Sequence, residues 1–333
     1  MQTKPLTPTH CANHPAFNYY GRWQLGAVTT SINSGSLVEF ACTGARCSLL
    51  FDVAGFSHFP AIFVQVDDGP VETCSLSPDV SSVAVSLRGD CHRVRWWVGA
   101  HSLYLTEAKG RQWTELVGGC RFLGVALGDA RALKPLAAVS RQIEFLGDSI
   151  TQGLRLLYNG KDDDTGQQRP YANWPQRVAE QLGMRPVVVG FGGQGLTTPG
   201  TCGAPPAEAA FPFVCHGVRW VPDVQPEIVV IYQGTNDPVD TPVFRDHYRR
   251  YLRAVRHGRP VAHIVAVCPH LQGRYASAIA QSVAELQDAR MHALDYSADV
   301  LEKTDTSDGC HLNPAGAERL ARRLTSDLQR ILA

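Results

Sequence analysis

The hydrophobic period of the chain changes near Lys134-Pro135, and no other feature restricts the fold as much. From Ser31 to about Ala132 apolar residues come in short runs divided by turn residues: SLVEFACTG, CSLLFDV, AIFVQVDDG, VAVSLRG, RVRWWVG, SLYLTEA and CRFLGVAL. The runs are rich in β-branched and aromatic residues, and several alternate apolar with polar, as strands with one buried face do. Asp68-Gly69 marks a hairpin, because both residues tolerate the positive φ of a tight turn. The front of the chain therefore reads as an all-β sandwich.

Past Pro135 strands alternate with helix-length amphipathic segments. IEFL (143–146), PVVV (186–189), EIVVIY (227–232) and HIVAVC (263–268) have the continuous apolar character of buried parallel strands. Helices are expected over 171–182, 243–257, 276–290 and 314–331. Asn313-Pro314 opens the last of them, since Asn caps exposed N–H groups and proline suits the first helical position. The expectation is an all-β sandwich over 1–138 followed by a three-layer, flavodoxin-like α/β domain with a parallel sheet over 139–333, a length that suits two units of roughly 100–200 residues.

A formal net charge of zero supplies no field of one sign to draw the chain to nucleic acid or an anionic membrane, so a neutral partner is expected. There is no run of about 18 apolar residues and no apolar stretch at the start, which reads as cytoplasmic for the chain as given, or secreted if a native leader was removed. The ten cysteines form no CxxC, which leaves zinc ribbons and thioredoxin-like motifs unsupported; Cys202 and Cys215 bracket a Pro/Gly-rich loop and would pair in an oxidising compartment. Nothing in the sequence speaks to oligomeric state.

Four motifs fall after predicted strands or before the last helix, where open α/β sheets place their ligands. Gly147-Asp148-Ser149-Ile150-Thr151 follows IEFL and sets a serine near a helix N-terminus; a turn or capping serine is the plainer alternative. Gly190-Phe191-Gly192-Gly193-Gln194-Gly195 matches GxGxxG, but LTTPGTCGAPPAE follows where a dinucleotide fold needs a helix, so its glycines are read as letting bare backbone approach a reacting oxygen. Gly234-Thr235-Asn236-Asp237 offers a side-chain amide, or only a turn. In Asp308-Gly309-Cys310-His311 the carboxylate can curl back to the imidazole, fix its tautomer and leave the other nitrogen to take a serine proton. No second cluster with ligand spacing completes a metal site, so neither metal nor cofactor is expected.

In this order and spacing, GDSIT, the glycine turn, GTND and DGCH resemble the four blocks of the SGNH hydrolases, also called GDSL-type esterases, over roughly Arg141 to the C-terminus. The resemblance implies Ser149 as nucleophile, His311 as base and Asp308 as the acid orienting it. It also implies an oxyanion hole of the Ser149 N–H, the Asn236 amide and the Gly195 N–H, with Gly193 as runner-up. A β-sandwich ahead of such a domain, with Tyr20-Gly21-Arg22-Trp23 and Val66-Asp67-Asp68-Gly69, is similar to carbohydrate esterase family two, whose members have a jelly-roll N-terminal domain and deacetylate plant polysaccharides or sugars. Many members of that family lack the acid beside the histidine, whereas Asp308 stands in the usual superfamily position.

The function so implied is a serine esterase that removes acetyl groups from an acetylated oligo- or polysaccharide. Trp174 and Trp220 are candidate substrate-binding faces, as is Tyr158, against core packing for any single aromatic. Asp162-Asp163-Asp164-Thr165-Gly166 lacks the closing glutamate of a calcium loop. The rival readings are a lipid or thioester hydrolase with the same triad, to which the loops TTPGTCGAPP and VDTPVF lend few large apolar residues, and a non-catalytic carbohydrate-binding protein.

Overall fold

The structure, a computed structural model, describes residues 9–88, 91–99, 110–128, 132–160 and 167–333. The SLYLTEA run and the acidic segment 162–166 lie outside the described residues.

The front half is two antiparallel sheets packed face to face. One is built on Leu37–Thr43, His92–Gly99, Ala61–Val66 and Glu72–Ser75, the other on Arg46–Phe51, Cys120–Leu127 and Ser82–Ser86. Alternation decides which side chains meet between them: along Ser82–Ser86 only Val83 and Val85 are buried, and they join Phe40, Leu49, Val94, Trp96 and Phe122 in one core. The predicted hairpin pairs Ala61–Val66 with Glu72–Ser75, but its left-handed residue is Asp67 at φ +53, one position ahead of the expected pair.

The sheet of Leu37–Thr43, His92–Gly99 and Ala61–Val66 is largely buried on both faces, because the second half docks on its outer side. Trp97 and Phe63 point outward from the core and meet Tyr171, with ring centroids 5.8 and 5.4 Å away. Gln176 donates to the Gly35 carbonyl at 3.0 Å, and Ile32 and Trp113 enter the core of the second half.

The second half is an all-parallel sheet of β1 (Gln142–Gly147), β2 (Arg185–Gly190), β3 (Ile228–Tyr232), β4 (His263–Cys268) and β5 (Met291–Asp295), in the order β2-β1-β3-β4-β5. This is the flavodoxin-like doubly wound arrangement. After β1 comes α1 (Ser149–Gln152); the longer helices are α2 (Trp174–Gln181), α3 (Thr241–Gly258), α4 (Ala276–Leu286) and α5 (Pro314–Leu332). Phe244, Tyr248, Tyr251, Leu252 and Val255 of α3 recur at helical spacing and bury against one face of the sheet together with α4. Trp174 and Val178 of α2, with Leu320, Leu324 and Leu328 of α5, cover the other. Cys202 and Cys215 lie in the first of these cores as separate thiols.

Two helix boundaries differ by three residues or more from the sequence reading. The helix expected to reach residue 290 stops at Leu286, where Gln287 takes φ +49, and the fifth strand follows it. Helix α2 starts at Trp174, because Pro170–Ala172 forms a separate tight turn.

Candidate active site

Gly147, Gly190 and Tyr232 are partners at the carboxyl ends of β1, β2 and β3, so the loops that follow converge. Gly147 has to lack a side chain: a Cβ there would stand 2.8 Å from the Tyr232 carbonyl oxygen and collide with the Thr151 side chain. Asp148 caps the turn, its Oδ1 accepting from Ile150 N–H at 2.9 Å, and Ser149 is the first residue of a helix only four residues long. So short a helix adds little macrodipole. What Ser149 does gain is an N–H that, at the first helical position, has no intrahelical acceptor.

The last loop brings the base. His311 Nε2 lies 3.0 Å from Ser149 Oγ, across 162 residues of chain, and His311 Nδ1 lies 2.8 Å from Asp308 Oδ2. Asp308 Oδ1 accepts the backbone N–H of Cys310 and of His311 at 3.1 and 2.8 Å, a curl made by Gly309 at φ +86. With Nδ1–H donating to the carboxylate, Nε2 keeps a lone pair aimed at the serine hydroxyl. Burial alone raises the Asp308 carboxyl, but the N–H and ring of His311 and the Arg155 guanidinium outweigh it and hold the group well below the usual carboxylate range. The acid therefore stays ionised beside the ring.

Three supporting residues escaped the sequence reading. Arg155 donates to Asp308 Oδ2 at 3.0 Å and its carbonyl accepts from Ser307 Oγ at 2.8 Å, tying the chain after α1 to the acid–base loop. His270, just past β4, bridges Tyr232 Oη at 2.8 Å and the Cys310 carbonyl at 2.8 Å; burial lowers its pKa and favours a neutral ring. Asp237 is buried and accepts Leu196 N–H at 3.0 Å and both N–H and Oγ1 of Thr197 at 2.8 Å, locking the glycine turn to the Asn236 loop. Its position beside Asn236 was the available signal; Arg155 carried none.

The oxyanion donors need a correction. The Gly195 N–H donates to the Thr198 carbonyl at 2.9 Å, so it is not open, and this glycine is required for another reason: a Cβ would stand 2.7 Å from Asp237 Oδ1. Gly193, at φ +72, sits in the turn against Thr201. Asn236 Nδ2 donates to the Gln194 carbonyl at 3.0 Å and makes only a 3.4 Å contact with Asp148 Oδ2, weak enough to give way to an oxyanion.

Trp174 is also corrected. It is fully buried between Phe145 and Tyr232, with Nε1 donating to the Ile150 carbonyl at 3.3 Å, so it braces the nucleophile turn from below and has no face for substrate. Trp220 lies away from the triad, stacked on the guanidiniums of Arg22 and Arg259 at 4.8 and 4.9 Å. Tyr158 is beside the site, its ring 4.9 Å from the Arg155 guanidinium. Among the described residues no three His, Cys, Asp or Glu side chains gather as metal ligands, and no helix is long and apolar enough to cross a membrane.

Asp148 supplies a stability test. Burial pushes its carboxyl up to about 7, with Asp237 adding to the rise and the bond from Ile150 N–H opposing it. The native state then holds a proton that the unfolded chain releases near pH 4, so stability falls as pH rises from about 4 toward 7 and levels off above. Asp148→Asn has no such proton to lose and is expected to flatten that part of the urea-midpoint profile; parallel profiles for the two proteins would contradict it.

Comparison with known proteins agrees with this geometry. Residues 145–319 match the GDSL-like Lipase/Acylhydrolase family. Cellulase/esterase CelE of Acetivibrio thermocellus is 28% identical over 316 residues, which cover 89% of this chain and 37% of that protein, so the chain spans little more than a third of its relative. A family two carbohydrate esterase from Clostridium thermocellum, solved with cellohexaose, superposes with a TM-score of 0.80 at 23% identity over 95% of this chain and 99% of that one. A family two carbohydrate esterase from Cellvibrio japonicus does so with 0.80 at 20% identity over 97% of each. The whole chain thus has the two-part fold of these esterases, and with more than half of it matched, both Ser149 and His311 included, it belongs to the GDSL-like lipase/acylhydrolase family.

Proposed function

We propose that the protein is a serine esterase that removes small acyl groups, acetyl foremost, from carbohydrate. The observation that carries the reading is the chain of contacts from Ser149 Oγ to His311 Nε2 at 3.0 Å and from His311 Nδ1 to Asp308 Oδ2 at 2.8 Å. His311 takes the serine proton as Oγ attacks the ester carbonyl; the oxyanion forms against the Ser149 N–H and the Asn236 amide. The C–O bond to the sugar breaks and the proton on His311 passes to the leaving hydroxyl. Water, deprotonated by the same ring, then releases acetate.

The carbohydrate assignment is supported by the whole-chain likeness to family two carbohydrate esterases and by the kinship with CelE. It is tested by acetate release from acetylated xylan, mannan, glucomannan and simple sugar acetates. Turnover of at least one of these well above that of aryl esters is expected, and hydrolysis of none would end it.

Asn236→Ala is expected to lower kcat about 10²- to 10³-fold, the usual cost of one oxyanion donor, with KM little changed. A drop under threefold would remove Asn236 from the hole.

One observation favours longer acyl chains. Beside the glycine turn runs an open groove of about 670 Å³ lined by Leu196, Pro206, Ala209, Val239 and Val243, with Glu208, His247 and Arg250 at its sides. Its charged sides suit an acyl tail poorly. A series of 4-nitrophenyl esters is expected to peak at acetate, and an optimum at eight carbons or more would favour the groove.

A further inference from the structure

A second cleft lies at the opposite end of the sheet, where the two halves of the chain meet. It encloses about 220 Å³ and is lined by Tyr20, Leu25, Arg185, Trp220, Val221 and Asp223, among others. Arg185 pairs with Gln142 at the start of β1, whereas Ser149 follows its end, so β1 separates the two places by five residue steps of about 3.3 Å each.

The lining is built for a ligand that is neutral, small and both apolar and hydroxylated. Arg185 is 95% buried and bonds Asp223 at 2.6 Å, while its Nε finds no partner among the described residues. The Asp223 side chain is 72% exposed at the mouth. The pair cancels in charge within the lining itself and leaves donors and acceptors there without an unpaired ionic partner, which gives an ionic ligand little to hold. Trp220 packs against the buried Arg22 and Arg259 guanidiniums and also lines the cleft. At the rim stand Val221 and Leu25, the two most exposed large apolar side chains among the described residues, at 79% and 63%. Exposed apolar residues gathered beside an indole mark a contact surface. The volume is below the roughly 300–1,000 Å³ of drug-sized pockets, so it admits a single ring.

From these features we infer a non-catalytic glycan-binding subsite that takes one pyranose unit of a neutral polysaccharide, with the apolar ring face on Trp220 and Val221 and hydroxyls on Asp223 and Arg185. Holding the polymer at a second point raises its local concentration at the esterase site. The choice of a glycan rests on the carbohydrate reading above; binding itself needs no hydrolysis.

The test is affinity electrophoresis of the full chain, Ser149 blocked with phenylmethylsulfonyl fluoride, in gels containing unacetylated xylan, glucomannan or β-glucan. Retardation by at least one polymer is expected. Asp223→Ala and Val221→Asp, both at exposed positions, are expected to weaken it at least about tenfold and to leave turnover of 4-nitrophenyl acetate by unblocked enzyme within about twofold. No retardation, retardation lost on blocking Ser149, or equal retardation of both variants and the parent overturns the subsite. Retardation without acetate release from any substrate overturns the esterase reading alone, and release without retardation overturns the subsite alone.

Discussion

Ser149→Ala is expected to lower kcat on an aryl acetate at least about 10⁴-fold, because loss of the nucleophile removes the covalent route and leaves only oxyanion binding and positioning. His311→Ala should fall as far, and the double variant no further, since the two groups act as a unit 3.0 Å apart. Folding should survive: the Ser149 hydroxyl bonds the His311 ring, and removing one neutral partner at the mouth of a site costs only about 1 kcal/mol. Residual activity above one part in a hundred, with contaminating esterase excluded, would move the nucleophile elsewhere.

Glu144→Ala is expected to cost about 3–5 kcal/mol of stability, as breaking a buried ion pair on one side does. Glu144 is fully buried within the apolar run of β1, with Arg22 at 2.7 Å and Arg259 at 2.6 and 3.1 Å. Burial alone raises its carboxyl, and the two guanidiniums pull it back below the ordinary value, so it stays ionised. Without it, two buried cations that share the Glu144 carboxylate and both lie against Phe211 and Trp220 are left facing each other with no counter-charge. Arg22 belongs to the sandwich and also donates to the Phe211 and Phe213 carbonyls at 2.5 and 3.0 Å, so the loss also loosens the docking of the two halves. Because the folded-state pKa is depressed, the contribution is present above about pH 4.3 and lost as pH falls further. Urea unfolding at pH 7 measures it, and a loss under about 1 kcal/mol would show that the triad of charges is dispensable.

The Glu144 cluster also shows where sequence reasoning stops. A carboxylate inside IEFL was visible, but its partners lie 122 and 115 residues away, and no periodicity connects them. The strands with continuous apolar runs were legible because both faces are buried; Met291–Asp295 was not, since as an edge strand it alternates and only Met291 is buried. At the site, Ser149, Asp308 and His311 stood in short motifs whose resemblance to the SGNH blocks implies their meeting. Gly195 stood in one too, yet the motif does not reveal that Thr198 takes its N–H or that Asp237 forbids a side chain there. Trp174 misled for a physical reason: an indole N–H that finds a backbone acceptor is as satisfied in a core as in a binding site. Arg155 and His270 act on the acid–base loop from other elements, so only the folded chain brings them into view.

The most direct measurement is the mass of the protein after rapid acid quenching during turnover of 4-nitrophenyl acetate, followed by peptide mapping. One added acetyl group is expected, on the peptide containing Ser149, and none in His311→Ala. An acetyl group on any other residue, or steady turnover by enzyme in which Ser149 never carries one under any quench, would contradict it.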